Sequence, residues 1–246
     1  MSDSASSHRS ITSHQKRTRT IFPLAHPPPK SAQKLRLNPK LLLQIQQLSP
    51  SNRPVAILEV WQPSIFTGRV AKEFPNQPRV RSGDVYVTQS EGYTNLQHAR
   101  NESEEGDEEG GSGEKDLVGV IGKGGEASEI YASSGRVWEA KNVESGYRFE
   151  VKDGDEVRVL EWERKRGSKA KESEMFVLCI ADEKGLRRPW IAEMSRVCIE
   201  VKGWDRAVRD HLSDWVGRDD EHWDAGFYTL ILMFGVYAAS QEGWFS

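Results

Sequence analysis

The chain has 246 residues, 37% of them hydrophobic, with eight Trp, two Cys and a formal net charge of −3, and its mean hydropathy is −0.65. Such a length fits one large domain or two small ones, and so small a net charge excludes an overall pull toward nucleic acid or an acidic membrane. Two cysteines and no secretory leader point to a reducing intracellular compartment rather than a disulfide-stapled secreted protein.

Charge is segregated along the chain. Residues 1–40 carry eight Lys or Arg against the single acid Asp3, whereas residues 102–109 carry six acids and no base. Residues 1–37 are rich in Ser, Thr, Lys, Arg and Pro, including Pro27-Pro28-Pro29, and read as a disordered basic tail that cannot bury enough surface to offset ordering. The stretch His14-Gln15-Lys16-Arg17-Thr18-Arg19 has the composition of a nuclear-localisation or phosphate-binding patch, and equally of a solvated tail. Residues 38–50 read as a short docking helix. Asn38 is its N-cap, Pro39 lies in its first turn, Leu41, Leu42, Ile45 and Leu48 form its apolar stripe, and Ser49-Pro50 stops it.

From Pro54 the period changes to two. Candidate strands are 55–61, 65–70, 84–89, 117–121, 128–132, 136–141, 147–152, 156–164, 175–182, 190–195 and 197–202. Alternation is clearest in Tyr147-Arg148-Phe149-Glu150-Val151-Lys152, and Ser134-Gly135, Ser145-Gly146, Asp153-Gly154 and Lys184-Gly185 supply turn residues that tolerate positive φ. Many short strands joined by tight turns predict an antiparallel barrel or sandwich over residues 51–246. An acidic Gly/Ser loop (100–115) and a basic loop (165–174) interrupt it as surface insertions. Cys179 and Cys198 both fall in predicted strands, where a thiol acts as a small buried hydrophobe.

Residues 203–224 read as an irregular helical connection with Trp204, Trp215 and Trp223. Residues 225–240 then run without a charge, a helix of about 24 Å set against a bilayer core of roughly 30 Å. It is apolar on every side, so it must be buried in protein or sit in lipid. Buried, it would be the core of a closed barrel, since a sandwich offers it no place. In lipid, it would be a C-terminal anchor with Trp215, Trp223 and Trp244 as interfacial aromatics.

No catalytic constellation stands out. Gly122-Lys123-Gly124-Gly125 has the composition of a phosphate loop but neither the spacing nor a following helix, and reads as a hairpin turn. Asp219-Asp220-Glu221-His222 could bind a metal through oxygen and imidazole, and reads more simply as a solvated acidic turn. No nucleophile has a histidine near it in sequence, and no metal set or cofactor fingerprint stands out, so neither metal nor cofactor is expected. The candidate anionic-ligand surface is Lys165, Arg166, Lys169 and Lys171 together with Arg187 and Arg188, with simple solubility as the competing role.

The blocks Ser128-Glu129-Ile130, Val137-Trp138-Glu139-Ala140, Gly146-Tyr147-Arg148-Phe149, Arg187-Arg188-Pro189-Trp190-Ile191-Ala192 and Glu242-Gly243-Trp244, with Asn38-Pro39-Lys40-Leu41-Leu42-Leu43-Gln44 ahead of them, resemble a family of uncharacterised filamentous-fungal proteins. The blocks are short but spread over most of residues 38–246, and the resemblance implies no activity. In strand number and helix position the chain is similar, more distantly, to the tubby C-terminal-like group, which includes LURP-one-related proteins and phospholipid scramblases. That likeness implies a closed twelve-stranded barrel wrapped around one hydrophobic C-terminal helix. Tubby proteins bind phosphoinositides through basic residues, and no position here aligns with them.

The expected function is a non-enzymatic β-barrel binding module for an anionic membrane lipid or a protein partner, intracellular and cytoplasmic, with no specific nucleic-acid binding. The alternatives are a tail-anchored membrane protein with a cytosolic β-domain, and an enzyme of unrecognised type. The basic tail leaves the nucleus open as a location.

Overall fold

The computed structural model describes residues 19–27, 39–48, 52–64, 83–90, 117–124, 126–132, 135–165, 174–181, 190–204, 208, 212 and 223–245. Twelve antiparallel strands close into a barrel, each paired with its neighbours in sequence and β12 returning to β1. They are β1 (Thr20–Ala25), β2 (Lys40–Leu48), β3 (Pro54–Gln62), β4 (Val85–Gln89), β5 (Leu117–Gly122), β6 (Ser128–Ala132), β7 (Val137–Val143), β8 (Gly146–Asp153), β9 (Glu156–Arg164), β10 (Met175–Ile180), β11 (Trp190–Ser195) and β12 (Cys198–Val201). The one long helix among the described residues, α1 (Trp223–Gln241), follows them.

Alternation sorts the wall into two faces. Along β8, Tyr147, Phe149 and Val151 are buried inside, while Arg148, Glu150 and Lys152 point outward. The strand register continues the pattern sideways: Lys141, Arg148 and Glu161 form one outward row, and Ile21, Glu200 and Glu193 belong to another. The outer wall carries charged rows on these strands, over an apolar lining inside. The turn glycines Gly135, Gly146 and Gly154 adopt positive φ, as their turn composition predicts.

The apolar run is the filling of the barrel. Along α1, Phe227, Ile231, Phe234 and Ala238 have no exposed surface, and Leu230, Leu232, Met233, Val236, Tyr237 and Ala239 are also buried. Phe234 stacks on Phe149 of β8 at 4.1 Å and takes the edge of Trp138 of β7 at 5.1 Å. Tyr237 packs against Tyr147 and Phe149, and its hydroxyl donates to Asn142 Oδ1 at 3.1 Å.

Two glycines mark close approaches of helix and wall, one at β5 and one at β11 and β12 on the far side of the barrel. At β5, a Cβ on Gly119 would lie 2.6 Å from Met233 Cε and 2.7 Å from the Tyr131 carbonyl oxygen. Across the lumen, a Cβ on Gly235 of α1 would lie 2.4 Å from Ile199 Cδ1 of β12 and 3.4 Å from Met194 Sδ of β11. Glycine at both contacts lets wall and helix approach closely. The helix then ends at Gly243, whose φ of 69° turns the chain back, the Trp244 amide donating to the Ala239 carbonyl at 2.9 Å. Trp244 is thereby buried against Phe176, and Glu242 accepts from the Tyr147 hydroxyl and from Arg164. Among the described residues no helix is long and apolar enough to cross a membrane.

Two expectations are corrected. Residues 38–50 do not form a helix: Lys40–Leu48 is strand β2, paired with β3 from Lys40↔Gln62 to Leu48↔Pro54. Bulges between Leu41 and Leu43 and between Ile45 and Gln46 break strict alternation and produce a spacing that mimics a helical stripe. A helix of two turns is marginal in isolation, whereas pairing satisfies this segment's backbone groups on both sides. The second correction is that the barrel does not begin at residue 51. Within the segment read as a disordered tail, Thr20–Ala25 forms β1, with Phe22 buried. Pro23 donates no backbone hydrogen bond, and it stands where β1 exchanges one partner for the other: Thr20 to Pro23 pair with β12, Leu24 and Ala25 with β2. The candidate strand 65–70, the acidic loop 100–115 and the turn Lys184-Gly185 lie outside the described residues.

Candidate functional site

The strands β10, β11 and β12 present an outer face whose geometry is fixed by one irregularity. Leu178 pairs with Ala192, but Cys179 pairs with Trp190, leaving Ile191 as an extra residue in β11. Such a bulge re-aims side chains. Here Ile191 stays fully buried while Trp190 turns outward and is 50% exposed.

Two lysines converge on that ring. Lys165 follows the last residue of β9, and its amide donates to the Met175 carbonyl at 2.8 Å. Lys202 follows β12, and its amide donates to the Ile191 carbonyl at 3.0 Å. Both Nζ atoms lie 4.7 Å from the centroid of Trp190. Each cation–π contact at an exposed position contributes about 0.5–1 kcal/mol. Glu193, three residues further along β11, accepts from both lysines through the same oxygen: Oε1 is 2.8 Å from Lys202 Nζ and 3.4 Å from Lys165 Nζ. Because the two nitrogens share one oxygen, they lie on the same side of the indole and do not sandwich it. Hydrogen bonding to Lys202, with Lys165 adding its charge, holds the Glu193 carboxyl below its ordinary value despite partial burial.

Glu193 stands directly opposite Glu200 of β12, a like-charge pair that is unfavourable on its own. Arg19 offsets it by pairing with Glu200. The face thus carries three cations, Arg19, Lys165 and Lys202, around two carboxylates.

These cations mark where three basic segments of the sequence meet the wall. Arg19 closes the stretch His14–Arg19, Lys165 opens the basic loop, and Trp190 directly follows Arg187-Arg188-Pro189. The connections 165–174 and 181–189 leave β10 at opposite ends, yet the contact between Lys165 and Trp190 joins their described ends. Of the six residues named from sequence, Lys165 is placed here; Arg166, Lys169, Lys171, Arg187 and Arg188 lie outside the described residues, as does Asp219–His222. Sequence reasoning missed Trp190, Glu193, Lys202 and Arg19 as members of the site. The Arg-Arg-Pro-Trp run was the available signal, but alternation alone does not reveal the bulge that turns the ring outward.

Two other outer surfaces differ in kind. On β7–β9, Lys141 pairs with Glu139 and Glu150, and Arg148 with Glu150 and Glu161, so two cations meet three acids. Across β2–β7, the register aligns Leu41, Trp61, Tyr86, Val120, Tyr131 and Val137 in one apolar row. The centre of that row, Val120 and Tyr131, is already buried. Cys179 and Cys198 sit on β10 and β12, which are not neighbours, and no disulfide joins them. Comparison with protein-family models, with curated proteins and with solved structures finds no match.

Proposed function

We propose that this barrel is a non-enzymatic binding module that docks on an anionic membrane surface through the outer face of β10–β12. The observation that carries the reading is the pair of lysine nitrogens, each 4.7 Å from the ring of a half-exposed tryptophan. Tryptophan favours the headgroup layer, where one part of the ring meets hydrocarbon and the indole N–H stays wet. A lysine near a negatively charged leaflet contributes about 1 kcal/mol. Lys165 and Lys202 meet the lipid anions while Trp190 enters between headgroups, and the basic segments ending at Arg19, Lys165 and Trp190 add long-range attraction.

The reading does not use α1 as an anchor. From Leu230 to Ala239 that helix is buried within the wall, so lipid insertion would have to empty the barrel. The twelve strands and the threaded helix support the proposed likeness to the tubby C-terminal-like group, but an architecture shared by many proteins does not carry a function. The cytoplasmic location is likewise a proposal.

Co-sedimentation tests the reading. The full chain is expected to pellet with vesicles of phosphatidylcholine and phosphatidylserine and to remain in solution with phosphatidylcholine alone. Neutralising Lys165 and Lys202 together is expected to weaken binding by roughly 25-fold, at about 1 kcal/mol for each charge. Equal binding to both vesicles, or full binding by the double variant, would overturn it.

A further inference from the structure

Glu193 occupies the position that an anionic ligand would take. We infer that this carboxylate is a built-in competitor, so that an anionic lipid headgroup binds Lys165 and Lys202 by displacing Glu193 from them. The inference rests on the proposed membrane reading and adds a residue that sets its affinity.

The geometry gives the reason. A single oxygen of Glu193 bridges both lysine nitrogens, at 2.8 and 3.4 Å, and both nitrogens lie at the same distance from the Trp190 centroid. A headgroup oxygen meeting both lysines over the ring would need that place. The carboxylate is held there: its side chain is 18% exposed, and it sits in the middle of a strand paired on both sides. Being part of the wall, it competes at the high effective concentration of any tethered group. The lysines are therefore neither free nor locked. Each is about one-third exposed, so both can exchange one oxygen partner for another without leaving the ring.

A matched position exists for comparison. Glu200 lies opposite Glu193 in register but pairs with Arg19. Neutralising either acid changes the net charge equally, while only Glu193 bridges the two lysines.

The test is co-sedimentation of full-length Glu193→Gln and Glu200→Gln with vesicles containing about one-quarter phosphatidylserine, beside the wild type. Both variants are expected to share the roughly fivefold gain of one charge near the surface, and Glu193→Gln to bind about twofold or more tighter than Glu200→Gln, because it alone frees the two lysines from a tethered competitor. Equal gains would mean that net charge alone matters, and would overturn the inference, as would no gain from Glu193→Gln. If the wild type binds and the double lysine variant does not, while Glu193→Gln gains nothing, the membrane reading stands and the competitor falls. If neither wild type nor Glu193→Gln binds, both fall. Thermal unfolding of each variant checks its fold. Should Glu193→Gln fail to fold, Glu193→Asp decides: it keeps the charge but withdraws the carboxylate by one methylene, and is expected to bind more tightly than wild type. A Glu193→Asp protein that folds and binds no better than wild type would overturn the inference.

Discussion

The lumen and the outer face of β10–β12 are held by different physics. Inside, Phe234 is fixed by the shapes of Phe149 and Trp138 on two strands, and Gly119 and Gly235 by how closely wall and helix approach. Volume decides every position, and no rearrangement is available at small cost. Outside, Lys165, Lys202, Glu193 and Trp190 are held by a few contacts of about 1 kcal/mol or less each, and both lysines keep access to solvent. The lumen stores stability, whereas in the proposed function the outer face exchanges partners. Substitutions should therefore separate the two, with lumen variants losing the fold and outer-face variants losing binding.

The largest effect is expected from deleting residues 225–246. Removing the helix takes out a whole row of fully buried side chains, a loss far beyond the roughly 5–15 kcal/mol by which domains are stable. The truncated chain should show no cooperative thermal transition by circular dichroism; a soluble, cooperatively melting product would break the comparison at its root. Next comes Phe234→Ala, expected to cost about 3–5 kcal/mol through lost burial and the cavity left behind, read as a fall in the urea midpoint. A cost near zero would mean that the stacked ring is not part of the core.

How much of this was legible in the sequence follows the same division. The helix was readable because sixteen uncharged residues in a row admit only burial or lipid, and β8 because its alternation is unbroken. Those signals are local. β2 misled because its Leu and Gln residues suit a helix and two bulges hide its period; pairing with β3 overrode propensity. β1 was hidden by Pro23 and by polar neighbours, and it exists only because β12 and β2 lie on either side of it. The site was the least readable part. It joins Arg19, Lys165, Trp190 and Lys202 across most of the chain, and the outward turn of Trp190 depends on one extra residue in β11. Of the six basic residues singled out beforehand as an anionic-ligand surface, Lys165 alone falls among the described residues.

Smaller effects sharpen the outer half of the comparison. Trp190→Ala removes two exposed cation–π contacts and should change stability by only about 1–2 kcal/mol, measured by urea unfolding, while its vesicle binding drops. A loss several times larger would place Trp190 with the core. The smallest effect concerns acid. Arg148 lowers the Glu150 carboxyl by a hydrogen bond, with Lys141 adding charge, and Lys202 does the same for Glu193. A carboxyl whose value is lower folded than unfolded contributes stability above its unfolded value, about 4.3, and loses it as pH falls through the folded value. The contribution of these two carboxyls to unfolding free energy should therefore hold steady from neutral pH to about 5 and decline below it, and Glu150→Gln should shallow the decline below pH 5 by up to about 1 kcal/mol. An identical decline in the variant would remove Glu150 from the account.

The central claim is that Trp190 itself enters the lipid headgroup layer, and fluorescence quenching by brominated lipid addresses it directly. Vesicles of brominated phosphatidylcholine with phosphatidylserine should quench part of the tryptophan emission of the full chain. The interior tryptophans Trp138, Trp162 and Trp244 are buried, beyond reach of lipid. In Trp190→Phe the quenched part should disappear at a protein concentration where the variant is still vesicle-bound. Quenching that persists unchanged in Trp190→Phe, or none in the bound wild type, would contradict the account.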